Sequence, residues 1–320
     1  MLDFKNIDRD KLRNILLETD FTLRPTIGID NNNTFGIEIE FENVFLDRIK
    51  NIGKWTLDKD ESVTTYKCIN DDRILIGGEL VSPILTDSEI TWIDIKNKCK
   101  KLVSLGACIS DYTGGHIHIG SQILGNNPNN IARFLKQWEL FEHIIYRFSY
   151  GYTSIPRKNI NMFAENIGSR LKRVRNSKRG YSQFESYYDW IQYFHTHWAP
   201  KTTGANLKRY KGYEPDVDNT IEIRCPNGTL DPIIWQNNIN FFTKLMISCQ
   251  EEKCDEELID YLLCTKFDYE YRLSNFGLID IEKAIILCDM IFDNEMDKLL
   301  FLKQYLKVFE KDKEKVKSKN

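Results

Sequence analysis

The sequence predicts an α+β fold, on three observations. Short segments with strict period-two alternation recur far apart in the chain, at 34–42, 115–120 and 220–225, and that period belongs to half-buried strands. Between and after them lie longer segments with apolar residues at helical spacing, bounded by capping residues, prolines and glycines. The polar side of the alternating segments is also of an unusual kind: carboxylates, imidazoles and a guanidinium rather than serines and lysines.

Composition sets the frame. With 320 residues the chain holds one large domain or two small ones and ample material for a core. Hydrophobic residues make up 42% and charged residues 28%, as in ordinary globular proteins. A net charge of -3 argues against a surface built for nucleic acid. No apolar run approaches membrane-spanning length, and the first residues show no signal-peptide core. Eight cysteines, without any Cys-x-x-Cys, sit mostly among apolar neighbours and read as buried thiols of a reducing compartment. The expectation is a cytoplasmic protein with no membrane and no nucleic-acid partner.

In chain order, Asp8 caps a short helix carrying Leu12, Ile15, Leu16 and Leu17. The polar turn Asp30-Asn31-Asn32-Asn33 leads into Phe35-Gly36-Ile37-Glu38-Ile39-Glu40-Phe41-Glu42, in which Glu38, Glu40 and Glu42 share one face at spacings of roughly 7 Å. Alternation alone equally describes a solvated outer face. Residues 55–62 read as a tight acidic turn, Val63 to Cys68 as a strand, and Ile74 to Ser82 as another, interrupted by Gly77-Gly78 just before Glu79. Asp87 or Ser88 caps a helix closed by Gly106. His116 and His118 share a face of the next strand, and Asn127-Pro128 opens a long helix to Gly151. Residues 152–182 carry Arg157, Lys158, Arg170, Lys172, Arg173, Arg175, Lys178 and Arg179 against the single acid Glu165. That stretch is either a solvated basic loop or a mobile flap for phosphates. An aromatic helix from Gln183 to His195 ends in His195-Thr196-His197-Trp198, and 205–210 reads as a short strand. Thr220 to Cys225 places Glu222 and Arg224 on one face, and Asp231-Pro232 starts a helix to about Gln250. The remainder is helical, with a Lys/Glu-rich tail from Lys307.

If the alternating strands join one sheet, its polar face gathers four or five carboxylates, one or two imidazoles and an arginine. Such a set is too costly to bury unless cations fill it. Oxygen-rich ligation with few nitrogens suits Mg²⁺ or Mn²⁺ better than Zn²⁺, and Mg²⁺ on carboxylates accompanies nucleotide phosphates. Phosphoryl transfer follows, with Arg224 on the transferring phosphate. No Gly-x-x-x-x-Gly-Lys-Ser/Thr loop is present, so the sheet itself would hold the nucleotide.

The set Phe-Gly-Ile-Glu-Ile-Glu-Phe, Asp60-Glu61-Ser62, Gly78-Glu79-Leu80-Val81-Ser82-Pro83, Gly115-His116-Ile117-His118-Ile119-Gly120 and Thr220-Ile221-Glu222-Ile223-Arg224 through Gly228-Thr229-Leu230-Asp231 resembles the putative amidoligase family. These are carboxylate–amine ligases of the glutamine synthetase and glutamate–cysteine ligase superfamily. The resemblance runs from about residue 34 to 245. It implies a curved antiparallel sheet of the glutamine synthetase type, whose concave face forms a funnel for ATP and two or three Mg²⁺ or Mn²⁺ ions. By matching position, Glu38, Glu40, Glu79, His116 and Glu222 are implied metal ligands, with His118 at the second family histidine. Arg224 is implied on phosphate, and Asp60 near the substrate amine or a metal, in a turn where Glu61 replaces the family's glycine. Glu38, Asp60 and Arg224 are then the catalytic set, and Arg157, Lys158, Arg170 and Arg224 the contacts to nucleotide. The implied organisation is a catalytic domain over 1–250 with a helical extension over 251–320 packed on it.

The implied reaction joins a carboxylate (amino acid, peptide or protein) to an amine through an acyl phosphate, which a closing loop must shield from water. The basic stretch 157–179 is the candidate cover, and Asn206 a candidate to help hold ligand. Three rivals remain. A zinc hydrolase would use His116, His118, His195 and His197 but leaves Glu38, Glu40 and Glu222 without a role. A metal-dependent phosphotransferase would share metals and ATP and differ only in product. A non-catalytic binding protein would not need the full carboxylate, histidine and arginine set.

Overall fold

The computed structural model describes residues 4, 6–60, 62–63, 77–198, 202–213, 219–251, 253–265 and 279–309. Its centre is a six-stranded open sheet in the order β2-β3-β1-β4-β6-β5, with every pairing antiparallel. The strands are β1 (Phe35–Phe41), β2 (Thr56–Lys59), β3 (Gly78–Val81), β4 (Gly115–Gly120), β5 (Ala205–Asn206) and β6 (Thr220–Ile223). Alternation decides what each face does. Ile37, Ile39, Phe41, Leu80, Ile117, Ile119, Ile221 and Ile223 are all at most 1% exposed and form the core side. The opposite face receives Glu38, Glu40, Glu79, His116, His118 and Glu222, because residues paired across a ladder point the same way. The register aligns Glu38 with His116, Glu40 with Glu79, and His118 with Glu222.

Ten α-helices stand among the described residues. Four carry the caps that the sequence predicts: α1 (Arg9–Glu18) on Asp8, α2 (Glu89–Ser104) on Ser88, α3 (Pro128–Ser149) on Asn127 with Pro128 in its first turn, and α7 (Pro232–Ile247) on Asp231 with Pro232 in its first turn. Gly106, at φ +93°, closes α2 in a conformation that L-residues rarely adopt. α3 is buried on all sides, which makes it the central helix rather than an amphipathic cover. Around it pack α5 (Gly168–Arg175), α6 (Tyr187–His197), α7 (Pro232–Ile247), α8 (Glu256–Thr265), α9 (Ile281–Ile291) and α10 (Glu295–Leu306), while α4 (Ile160–Phe163) precedes α5. α7 also packs on β4 and so joins the helical layer to the sheet.

The late helices are fastened by ions. Asp297, fully buried at the start of α10, accepts from Arg24 at 2.6 Å, Lys244 at 2.5 Å, Asn240 at 2.9 Å and Asn294 at 2.6 Å. That cluster ties the chain before β1, helix α7 and helix α10 to one point. Lys307 adopts a left-handed backbone after α10 and donates at 2.7 Å to the carbonyls of Arg147 and Gly151, at the carbonyl end of α3.

Several expectations need correction. Residues 56–59, expected within an acidic turn, form the edge strand β2. Only Asp60 starts a turn, accepting from Ser62 N at 2.8 Å and Ser62 Oγ at 2.9 Å. The expected strand at 205–210 is just Ala205–Asn206, and α6 starts at Tyr187, where Ser186 and Asp189 make a capping box. The expected strands at 63–68 and 74–82 lie partly outside the described residues, as do Glu61, Cys68 and the tail beyond residue 309. Among the described cysteines, 99, 225, 249 and 288 are buried, while Cys108 and Cys264 are exposed. No described helix is long and apolar enough to cross a membrane.

Candidate active site

The polar face of the sheet opens into a cavity of about 360 Å³ lined by Glu38, Glu40, Asp60, Glu79, His116, Arg157, Arg209, Glu222 and Arg224, among others. Strands β1, β3, β4 and β6 supply Glu38, Glu40, Glu79, His116 and Glu222, whose relative placement is set by ladder register, while Asp60, Arg157, Arg209 and Arg224 come from the segments between elements. Among the described residues, Glu38, His116 and Glu222 form a group whose ligating atoms all lie within 4.8 Å of one another.

Glu38 is the hub. Its Oε2 lies 2.7 Å from His116 Nδ1, and its Oε1 lies 2.9 Å from His118 Nε2. Burial opposes its ionisation, but the two imidazoles outweigh burial and hold the carboxyl well below its usual range. His118 uses its other nitrogen, Nδ1, toward Thr220 Oγ1 at 3.4 Å, so it braces Glu38 from the side. His116 Nε2 is buried, and its 3.3 Å approach to Glu40 Oε1 does not meet hydrogen-bond geometry. A buried ring nitrogen without a partner, facing carboxylates, has the donor chemistry of a ligand awaiting a cation.

Glu222 is buried and bonded on both oxygens, by Arg224 Nη1 and by Asn206 Nδ2 at 2.9 Å. Burial raises its pKa, while Arg224, His116 and His118 pull it down, with a net lowering. Glu79 is the opposite case. No donor among the described residues reaches it, and burial together with Glu38, Asp60, Glu40 and Asp58 pushes it up to about 8. Burial acts on both, and the neighbours decide the outcome: Glu222 has an arginine, while the charged groups that shift Glu79 are the four acids Glu38, Asp60, Glu40 and Asp58. A divalent cation beside Glu79 would supply the missing positive charge, so the donor set of four glutamates and one imidazole fits Mg²⁺ or Mn²⁺.

The basic side of the cavity is built by Arg157 and Arg224. Arg157 is 4% exposed; its Nη2 donates to the Arg224 carbonyl at 3.1 Å and its Nη1 lies 3.8 Å from Glu40. Arg224 Nε donates to the Phe163 carbonyl at 2.9 Å. Burial and the neighbouring Arg224 lower the pKa of Arg157, while Glu40 raises it, with a net lowering.

Of the residues singled out in the sequence, Glu38, Glu40, Asp60, Glu79, His116, Glu222, Arg224 and Arg157 line this cavity. Lys158 and Arg170 do not: Lys158 pairs with Asp111 at 3.1 Å and Arg170 with Glu165 at 2.5 Å. Part of the basic stretch read as a flap is anchored on α3. α5 packs on α3, buried Glu139 takes Arg175 Nε and Nη2 at 3.0 and 2.9 Å, and Glu142 takes the backbone N–H groups of Ile167 and Gly168 at 2.6 and 2.9 Å. His195 and His197 are exposed on α6 and line none of the cavities described here, so they join no site with His116 and His118. Glu42 does not line this cavity; it is buried and accepts from Ser110 Oγ at 2.6 Å. Arg209 was not foreseen. It lines both this cavity and a second one of about 520 Å³ at the other end of the same face, beside His118, Val81, Pro83, Ile84 and Tyr213. Its only sequence signal was a cation shortly after the strand that pairs with Glu222.

No curated protein and no solved structure matches the chain. The family model described as putative amidoligase enzyme matches residues 31–246, which span every strand of the sheet and every ligand-type side chain of the cavity. By that match over two thirds of its length, the chain belongs to the putative amidoligase enzyme family.

Proposed function

We propose that the protein is an ATP-dependent carboxylate–amine ligase that forms an amide or isopeptide bond through an acyl phosphate. The observation that carries this reading is the convergence of Glu38, His116 and Glu222, from three strands, within 4.8 Å, with Glu79 left without a donor among the described residues. Membership of the amidoligase family supplies the reaction class, joining a carboxylate to an amine. Two or three Mg²⁺ or Mn²⁺ ions, when bound, would neutralise polyphosphate oxygens and hold them against the sheet.

The chain's own groups have defined tasks in this reading. Glu38, Glu40, Glu79, His116 and Glu222 would hold the cations, and His118, bonded to Glu38, would keep it in place. Arg224 and Arg157 present guanidinium donors to the transferring phosphoryl group. The substrate carboxylate attacks the γ-phosphorus, the bond to the ADP oxygen breaks, and an acyl phosphate forms. The amine then attacks the acyl carbon, phosphate leaves, and the nitrogen gives up a proton; Asp60, a carboxylate on the cavity wall, is placed to receive it. The catalytic unit in this reading is 1–250, with 251–320 as a helical extension.

The test is product stoichiometry. Incubation with ATP, Mg²⁺ and pools of carboxylic acids and amines should yield one ADP and one phosphate per new amide, with no AMP. ATP consumption that gives a phosphorylated acceptor and no amide would replace the ligase reading with a phosphotransferase.

A further inference from the structure

The metal cavity does not end at Glu38. Glu38 and Arg209 also line the second cavity, of about 520 Å³, so one ligand can reach from one into the other. Its floor is the polar face of the sheet beyond the metal ligands, where Gly36 pairs with His118 and Gly120 with Thr220. The Gln122 side chain fills the space over Gly120. Gly36 is bare. A Cβ there would meet Ser82 Oγ at 3.4 Å and His118 Cβ at 3.8 Å, which are ordinary contacts, and its φ lies outside the left-handed region. Neither crowding nor backbone conformation requires glycine at this position. Glycine inside a strand weakens it, and one that the backbone does not need marks a close approach to the sheet by something else.

The walls of this cavity are apolar. Val81 and Pro83 are half-buried, while Ile84 and Tyr213 are 59% and 65% exposed. The polar side chains among them are already bonded within the chain. Ser82 Oγ accepts from the Ile37 N–H at 2.9 Å and donates to the Pro83 carbonyl at 2.9 Å. Gln122 Nε2 donates to the Asn32 carbonyl at 3.0 Å and to Thr34 Oγ1 at 3.2 Å. Asn219 Oδ1 accepts from the Lys211 N–H at 2.7 Å, and its Nδ2 donates to the Gly212 carbonyl at 2.8 Å. A nucleoside, with donors and acceptors along base and ribose, would find few partners here, whereas an apolar chain needs none. Charge chooses between an acid and an amine. Both Glu38 oxygens are held by imidazoles, and Arg209 brings a cation to the junction of the two cavities. An anionic head group suits that junction better than an ammonium.

We infer that this cavity is the subsite for the apolar portion of the carboxylate substrate, whose carboxylate points past Glu38 and Arg209 toward the metal centre. The word substrate rests on the ligase reading; the binding does not. The substrate class is a carboxylic acid with an aliphatic chain or side chain, either free or at the C-terminus of a peptide.

Binding is read without turnover. The full-length protein, in Mg²⁺ and without nucleotide, is titrated calorimetrically with sodium hexanoate, and separately with acetate, n-hexylammonium and adenosine. Hexanoate should bind at least tenfold more tightly than acetate, about what two buried methylenes provide, and at least fivefold more tightly than n-hexylammonium. Gly36→Leu, which fills the bare floor, should weaken hexanoate at least fivefold. Ile84→Ser, at an exposed side chain that the core does not need, should weaken it at least twofold. No binding of hexanoate, or equal binding by the wild type and both variants, would overturn the inference. Adenosine binding that Gly36→Leu abolishes would overturn it in favour of a nucleoside site, and tighter binding of n-hexylammonium in favour of the amine. Failure of the ligase reading would show instead as absent ADP and amide, with the hexanoate titrations unchanged.

Discussion

At the scale of single residues, the site is a contest between burial and partners. Glu222 stays ionised because Arg224 and two imidazoles outweigh its burial, whereas Glu79 is raised to about 8 because burial and the neighbouring acids both oppose its charge. Arg224 neutralises Glu222 and, in the proposed reaction, would also present a donor to phosphate. Arg224→Ala should lower the ligation rate by on the order of 10²–10³-fold, the range for removing one preorganised charge-stabilising donor. Arg224→Lys should recover only part of that loss, since an ammonium cannot reproduce the fork that serves Glu222 and the Phe163 carbonyl together. Single-turnover rates with saturating nucleotide decide it, and a wild-type rate in Arg224→Ala would remove the arginine from the chemistry.

At the scale of elements, the basic segment after α3 shows how charge can mislead. Its arginines and lysines suggested a cover for phosphates, yet two glutamates on α3 hold it down. Glu139 takes Arg175, and Glu142 takes the N–H groups at the start of α5. Those glutamates lie 36 and 25 residues before their partners, inside a helix whose aromatic periodicity announces only core, so composition could not reveal the pairing. We expect proteolysis within 160–175 to be slow with or without ATP and Mg²⁺, and several-fold faster in Glu142→Ala. Nucleotide-dependent protection in the wild type would restore the flap. The Asp297 cluster makes a second element-scale prediction: Asp297→Ala leaves Arg24 and Lys244 without their shared carboxylate and should cost about 3–5 kcal/mol in urea unfolding. A loss below 1 kcal/mol would show that α10 is held by its apolar face alone.

The strands themselves divide by length and position. β1, β4 and β6 were legible because four or more alternating residues with isoleucine inward leave little choice. β2 was not, because it is a four-residue edge strand whose only apolar side chain is Leu57, set among Thr56, Asp58 and Lys59. The cavity followed the same rule: period two brings Glu38, Glu40, His116 and Glu222 to one face, while Lys158, on a loop, and Arg170, on α5, turn to Asp111 and Glu165, which period two does not encode. Nor does any local pattern give the strand order, since β3 and β4 flank β1 through long connections.

At the scale of the whole molecule, the helices after residue 250 are bound to α3 and α7, and their attachment is pH-sensitive in one place. Burial opposes ionisation of Asp280, but His143 on α3 and the Lys283 N–H and ammonium bring it down to about 2 from an ordinary value of 3.8. The folded value is the lower one, so this contribution is complete above about pH 4 and fades as pH falls through about 2. Wild type and Asp280→Asn should thus differ in thermal midpoint at pH 5 and converge near pH 2; a constant difference across that range would show that charge plays no part. The central claim concerns the sheet face, and Mn²⁺ electron spin echo spectroscopy tests it most directly. With ADP present, the claim predicts Mn²⁺ coupled to phosphorus and to the nitrogen of one imidazole, the nitrogen signal vanishing in His116→Ala and binding collapsing in Glu222→Gln. Mn²⁺ that shows neither coupling, or that binds both variants as it binds the wild type, would contradict it.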